Sequence, residues 1–305
     1  MKHVLSAADQ APLPASYAAE ARYLKFRGAD QSKPYAKFLQ TTTRPLQPHV
    51  VESLVAGMAP TEYGYGVDAA ADRITRPGYE PLETGWTRLD SGVCMVSVLT
   101  PMPGVTAEMW DWWFGWHGRE TARYKLWFPD AHQFSALGDD RGADPSLTDR
   151  QRYVGNVSYV DEYIGGRLLR LAIRFLDPSR MGIVEVPGTT HICARVSLST
   201  HPLAIGWLIH QVRPTDDGAE MRSRFFLNDP ELLALPARAL PPGTPARMLT
   251  SKAGRALGAA TLRPGLMSHV MPSSVGPDMI FHCASEMNHL AAFLPDLHAE
   301  FHDTP

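Results

Sequence analysis

Cysteine is scarce in this 305-residue chain: Cys94, Cys193 and Cys283 are odd in number and far apart. They form neither a disulfide framework nor a CxxC zinc pattern, which fits a reducing compartment. An excess of one charge is lacking too. The net charge of -3 gives no electrostatic case for nucleic acid. No apolar run approaches the ~20 residues that span a bilayer. The opening Met-Lys-His-Val-Leu-Ser has neither the apolar stretch nor the cleavage site of a secretory leader, so the expectation is a cytoplasmic protein. GxSxG, HExxH and phosphate-cradling glycine loops are absent, which disfavours a conventional serine hydrolase or nucleotide enzyme. There is no internal repeat.

What is present reads as an ordinary soluble globular protein, with 44% hydrophobic and 20% charged residues and enough length for an ample core. The 26 prolines divide the chain into short elements and exclude long helical bundles. Residues 1–84 are irregular and partly helical, with short helices expected at Ala15–Leu24 and Pro48–Gly57 and a loop from Gly64 to Pro81. This region is expected to pack on the rest of the chain or on a partner subunit. From Gly85 the pattern changes, and residues 85–305 form the second region. A strand is expected over Gly92–Leu99, then a helix N-capped by Thr106. Five of the seven tryptophans fall between Trp110 and Trp127, as core or as the lining of an aromatic cavity. Arg123–His132 reads as short and extended. Further strands are expected at Tyr153–Tyr163, Arg167–Phe175, Thr190–Leu198, Ala204–Val212 and Glu220–Leu227, mostly joined by short turns that suit antiparallel neighbours. Glu231–Leu235 and Pro245–Leu257, within a segment running from Pro230 to Gly265, read as helices. A long C-terminal helix starts at Pro277. The fold class is α+β: an antiparallel sheet curled around that helix, a helix-grip arrangement with a cavity between them.

Candidate chemistry centres on the last helix. His282 and Glu286 are four residues apart and share one helical face, where an imidazole and a carboxylate can grip a divalent cation. The same spacing also gives a solvated hydrogen bond. Ile280, Cys283, Met287, Leu290 and Phe293 form an apolar stripe for packing on a sheet, and His289 lies on nearly the same face as His282. In the strand holding Asn156, Ser158, Val160 and Glu162, alternate residues share a face, so an inward Val160 carries Glu162 inward. A buried carboxylate needs a charge partner or a metal; otherwise Glu162 pairs with Arg167 or is solvated. His132 follows a Pro-Asp turn and either aims into a cavity or lies on the surface. Together the four make an N2O2 set suited to zinc, manganese or iron. Spacing alone does not single them out from 12 histidines. His117 with Glu120 is a rival pair or a local hydrogen bond. His191, His201 and His210 lie in or beside strands, and Asp216-Asp217-Gly218 reads as a hairpin turn.

Several stretches are similar to one enzyme family. Trp-Trp-Phe-Gly-Trp-His (112–117), Ala122-Arg-Tyr-Lys-Leu-Trp, Val160-Asp-Glu-Tyr-Ile-Gly-Gly166, His210-Gln-Val-Arg, Glu220-Met-Arg-Ser-Arg and the final His-x-x-x-Glu, in this order, resemble the 2,4-diacetylphloroglucinol hydrolases and phloretin hydrolases. The resemblance covers residues 85–305 well and the N-terminal part more loosely. It implies a zinc-dependent homodimeric hydrolase that cuts the carbon–carbon bond between an acyl group and a polyphenol ring, on a Bet v 1-like helix-grip domain. It places the zinc ligands on His132, Glu162, His282 and Glu286, and a substrate-binding tyrosine on Tyr124. Ser135 stands where some members have Asn, and a second substrate tyrosine falls near Phe225 or Phe226. Trp113 is added as an aromatic wall and His210 as a proton donor to the ring carbon. The other readings are a carrier of aromatic ligands without chemistry and a metal hydrolase of another ketone or ester.

Overall fold

The computed structural model describes residues 1–262 and 272–304. Its centre is an eight-stranded antiparallel sheet in the order β1-β2-β8-β7-β6-β5-β4-β3, open at both ends. The strands are β1 (Gly85–Arg88), β2 (Cys94–Pro103), β3 (His132–Leu137), β4 (Val157–Ile164), β5 (Arg167–Leu176), β6 (Thr190–Leu198), β7 (Leu203–Thr215) and β8 (Gly218–Leu232). Seven main helices flank it: α1 (Pro48–Ala56), α2 (Ala107–Trp116), α3 (Thr121–Trp127), α4 (Asp149–Tyr153), α5 (Lys252–Thr261), α6 (Val275–Ala291) and α7 (Leu294–Phe301). The class is therefore α+β.

Local chemistry explains the main elements. α1 begins on Pro48 and stops at Gly57, whose φ of 84° suits glycine. The Thr106 side chain caps α2 by accepting from the Met109 amide. Gly165 and Gly166, at φ 56° and 76°, form the two-residue turn that joins β4 to β5. Asp216 and Asp217 likewise join β7 to β8.

α6 lies across the sheet at β1 and β2. Ile280, Cys283, Met287 and Leu290 are fully buried in one cluster with Val96 and Val98, each such apolar side chain contributing about 1.5–3 kcal/mol. Gly276 lets the helix start against Trp86, since a Cβ there would stand 2.3 Å from the indole ring. The helix starts at Val275, so Pro277 is its third residue.

Some segments depart from the sequence reading. Residues 123–127 of the expected extended stretch belong to helix α3, and only His132 onward is strand. Glu231 and Leu232 finish β8, and Leu233–Leu235 is not helical. The helix expected at Ala15–Leu24 is limited to Ala15–Ala19. The expected loop at Gly64–Pro81 contains short helical turns at Val67–Ala69 and Ala70–Ile74. Residues 263–265, the end of the segment read to Gly265, lie outside the described residues. The start of the N-terminal region packs on the sheet face opposite α6, with Tyr17 edge-on to Phe134 and Tyr159, whereas Tyr35, Phe38 and Val50 join the cluster that buries α6.

Candidate metal and substrate site

A cavity of about 230 Å³ lies between α6 and the sheet. The face of β4 that carries Ser158, Val160, Glu162 and Ile164 forms one wall, and α2, the turn that holds His117 and α3 close another with Phe114, Tyr124 and Trp127. His282 and Glu286 descend from α6.

His132 reaches this centre through a β-bulge. It pairs with Glu162, but the next regular pair is Phe134 with Asp161, so Gln133 is an extra residue in β3. Ser135 and Val160 pair on the α6 side. Strict alternation from Ser135 would turn residue 132 away, and the bulge turns it back toward Glu162.

Backbone carbonyls fix both imidazoles. His132 Nδ1 donates to the Tyr124 carbonyl and His282 Nδ1 to the Tyr163 carbonyl, both at 3.0 Å. A carbonyl only accepts, so each Nδ1 carries the proton and each neutral ring presents a bare Nε2. His132 Nε2 lies 3.5 Å from Glu286 and 3.7 Å from Glu162. His282 Nε2 lies 3.7 Å from Glu286 and 4.0 Å from Glu162. Donor atoms of His132, His282 and Glu286 all fall within 4.8 Å of one another.

Electrostatics mark the cluster as unusual. Burial, then the Glu162 charge, pushes the Glu286 carboxyl well above the ordinary range. Burial, then His282, pushes His132 well below it, and burial lowers His282 as well. The Tyr124 hydroxyl donates to Glu162, and its ring stacks face to face on His132 at 3.8 Å. Burial, then Glu162, raises the Tyr124 hydroxyl far above 10.0, so it stays protonated.

The remaining candidates divide. Phe225 and His210 line the cavity. His210 Nδ1 bonds the Ser223 hydroxyl at 2.8 Å, and burial pushes the ring down to about 3, so it is neutral at ordinary pH. Phe226, one residue on, faces the other side of the sheet and packs against Tyr65; it is not a wall of this cavity. Ser135 does not line it either, because its hydroxyl donates to the Gly118 carbonyl. Trp113 stands behind the wall, stacked on His117 at 4.8 Å. His117 and Glu120 diverge: His117 donates to the Trp113 carbonyl, and Glu120 accepts from Tyr35 and pairs with Lys33. His191 pairs with Glu185, and His201 is exposed. His289 accepts from the Arg44 amide.

Ser158 and His117 are cavity residues that the sequence reading did not select for it, whereas Trp127, one of the tryptophans read as core or cavity lining, does line it. Ser158 was legible by its alternation with Val160 and Glu162.

Known proteins are similar over most of the chain. The family model described as the DAPG hydrolase PhiG domain matches residues 68–299. A 2,4-diacetylphloroglucinol hydrolase from Pseudomonas protegens is 31% identical over 290 residues, covering 92% of this chain and 88% of the relative. A protein of the same name from Pseudomonas sp is 31% identical over 92% of both chains. The phloretin hydrolase of Eubacterium ramulus is 27% identical over 276 residues, 88% of this chain and 91% of the relative. The described helices include none long and apolar enough to cross a membrane. The identity and coverage, together with a family match over more than half the chain, place it in the DAPG hydrolase family, as a hydrolase.

Proposed function

We propose that this hydrolase holds a zinc ion on His132, Glu162, His282 and Glu286 and cleaves the carbon–carbon bond between an acyl group and a phloroglucinol-type ring. In the same reading the fold is a Bet v 1-like helix grip and the protein works as a cytoplasmic homodimer. The exposed Val51, Val55 and Met58 on and just after α1 suit a partner surface.

The observation that carries the reading is the pair of bare Nε2 atoms facing two buried carboxylates. His132 Nε2 is buried and has no hydrogen-bond partner among the described residues. The separations of 3.5 to 4.0 Å are too long for hydrogen bonds. They suit donors around a shared ion, since two ligands each ~2.1 Å from a tetrahedral centre stand roughly 3.4 Å apart. Two imidazoles with two carboxylates are a zinc-type donor set, and carbonyl-held Nδ1 protons are the usual support of such ligands. When bound, the ion supplies Lewis acidity for the acyl carbonyl and for water.

The chain's own groups supply the rest. Carbon leaves only as a stabilised anion. If the ring takes its keto form, the acyl-ring unit is a β-diketone. Water adds to the acyl carbonyl, the carbon–carbon bond breaks, and its electron pair enters the ring as an enolate. The ring carbon has taken its proton in the keto tautomer, so this enolate is the phenolate, and a proton on its oxygen gives the phenol beside a carboxylic acid. Tyr124, kept protonated, turns its single O–H from Glu162 to a ring oxygen when substrate is bound and stabilises that enolate. His210 is neutral, so its role is to hydrogen-bond the ring and not to deliver a proton as imidazolium. The aliphatic and aromatic wall excludes bulk water.

Product identification tests this. Incubating the zinc-loaded protein with monoacetylphloroglucinol, 2,4-diacetylphloroglucinol, phloretin and simple aryl esters should release acid and deacylated phenol from at least one of the ketones. Acid from the esters alone would refute carbon–carbon cleavage.

A further inference from the structure

Three histidines line the cavity among the described residues: His117, His210 and His282. In two of them Nδ1 donates to a backbone carbonyl, Trp113 at 2.7 Å for His117 and Tyr163 at 3.0 Å for His282. A carbonyl has no proton to give, so these neutral rings carry hydrogen on Nδ1 and offer Nε2 only as an acceptor. A phenolate or enolate oxygen is itself an acceptor, and neither ring can bond it.

His210 differs. Its Nδ1 lies 2.8 Å from the Ser223 hydroxyl, a group that can donate as well as accept. The two residues are cross-strand partners on β7 and β8. Ser223 is fully buried and shares the face of β8 that brings Phe225 and Leu227 to the cavity. The same hydroxyl hydrogen-bonds the Cys283 thiol of α6, which stands between His282 and Glu286. A chain of thiol, hydroxyl and imidazole therefore runs from α6 through β8 to β7.

The strengths of the acceptors give this chain its direction. The hydroxyl has one proton, and an imidazole nitrogen accepts it far better than sulfur does. The Ser223 O–H therefore donates to His210 Nδ1, and its oxygen receives the Cys283 S–H. Burial keeps the His210 ring neutral, so with Nδ1 accepting, the single ring proton sits on Nε2. Phe225 stands edge-on to the ring at 5.6 Å and Phe114 stacks on it at 6.4 Å, which holds its plane. Nε2 has no hydrogen-bond partner among the described residues and is left for a ligand.

We propose that Ser223, with Cys283 behind it, is a positioning residue that holds His210 as the Nε2–H tautomer, so that His210 gives the substrate ring a hydrogen-bond donor in addition to Tyr124. This rests on the acylphenol reading above. As the carbon–carbon bond breaks, negative charge collects on the ring oxygens. A fixed neutral N–H bonds such an oxygen more strongly as its charge grows, and the ring keeps its proton. In the other tautomer a bare lone pair would face the same oxygen and repel it.

Nitrogen-15 spectra of histidine-labelled, chelator-treated protein test the tautomer without turnover. The His210 signals are identified by their loss in His210→Gln. The proton should sit on His210 Nε2, the opposite of His117 in the same spectrum. A proton on His210 Nδ1 would overturn the proposal. Calorimetric binding of monoacetylphloroglucinol to the same metal-free protein tests the role. Ser223→Ala should bind it about tenfold more weakly, the worth of one net hydrogen bond. Ser223→Thr keeps the hydroxyl and should stay within about threefold of the parent. Undiminished binding in Ser223→Ala would remove Ser223 from a positioning role. A parent that neither binds this compound nor, when zinc-loaded, releases acid from any ketone sinks the acylphenol reading and the donor role with it. The tautomer itself stands or falls on the spectrum.

Discussion

On the sheet face turned away from α6, Arg174, Arg195, Arg222 and Arg224 are almost completely buried, and each meets carboxylates. Arg174 pairs with Asp9, Arg195 faces Asp229 and Glu231, and Arg222 and Arg224 share Glu83 at 2.6 and 2.5 Å. On the face turned toward α6, Glu162 and Glu286 are buried nearly as deeply, yet the basic groups beside them are two imidazoles whose own burial keeps them neutral. One face carries its own cations. The other, among the described residues, collects acceptors with no permanent charge to balance them. Buried charge on the first face serves structure, and on the second it suits an ion from outside.

The comparison can be broken from either side. The largest effect is expected at Glu83. Its carboxyl sits below the usual range because, against burial, the hydrogen bond from Arg222 and the charge of Arg224 hold it ionised. Glu83→Gln leaves two buried guanidiniums uncompensated and should cost about 3–5 kcal/mol in denaturant unfolding. A loss near zero would mean that these arginines are satisfied without it.

Glu286→Gln should behave in the opposite way. It removes a charge that burial and Glu162 disfavour, so the metal-free variant should be no less stable than the metal-free parent. The variant should lose the stabilisation that added zinc gives the parent, roughly 2.7 kcal/mol at a free ion concentration of 100 times Kd. Thermal melts with and without zinc read both quantities. A destabilised metal-free variant that still gains from zinc would reverse the assignment.

A smaller effect is expected at Asp9. Burial raises its pKa, but the His3 hydrogen bond and the Arg174 charge outweigh this and bring it from 3.8 to about 2. A depressed carboxyl stabilises the fold above its unfolded pKa and loses that contribution as pH falls through its folded value. On the order of 2 kcal/mol should therefore disappear between about pH 4 and 2. In Asp9→Asn this part of the acid limb should be missing from a stability–pH curve.

The two faces also differ in how far they could be read from sequence. The spacing of His282 and Glu286 and the alternation of Val160 and Glu162 follow from helical and strand periodicity, and the structure has a helix and a strand there. Strand Thr190–Leu198 likewise has the expected bounds. The region around His132 was opaque for two reasons. Tyr124, Trp127 and Phe128 are strand-favouring types, yet residues 121–127 form α3 in packing against β3. The bulge at Gln133 shifts the face of one residue and leaves no local signature. The choice between Phe225 and Phe226 needed the strand register, which sets which of two adjacent rings faces α6. Arg174, Arg222 and Arg224 pair with Asp9 and Glu83, 139 or more residues away, and no short pattern announces such partners.

Zinc titration of chelator-treated protein, followed by calorimetry and elemental analysis, tests the four-residue centre most directly. The expected result is one ion per chain for the parent, with affinity falling at least about a hundredfold in His132→Ala and in His282→Ala while both variants stay folded. Undiminished one-to-one binding in either folded variant would contradict a site built on these two imidazoles.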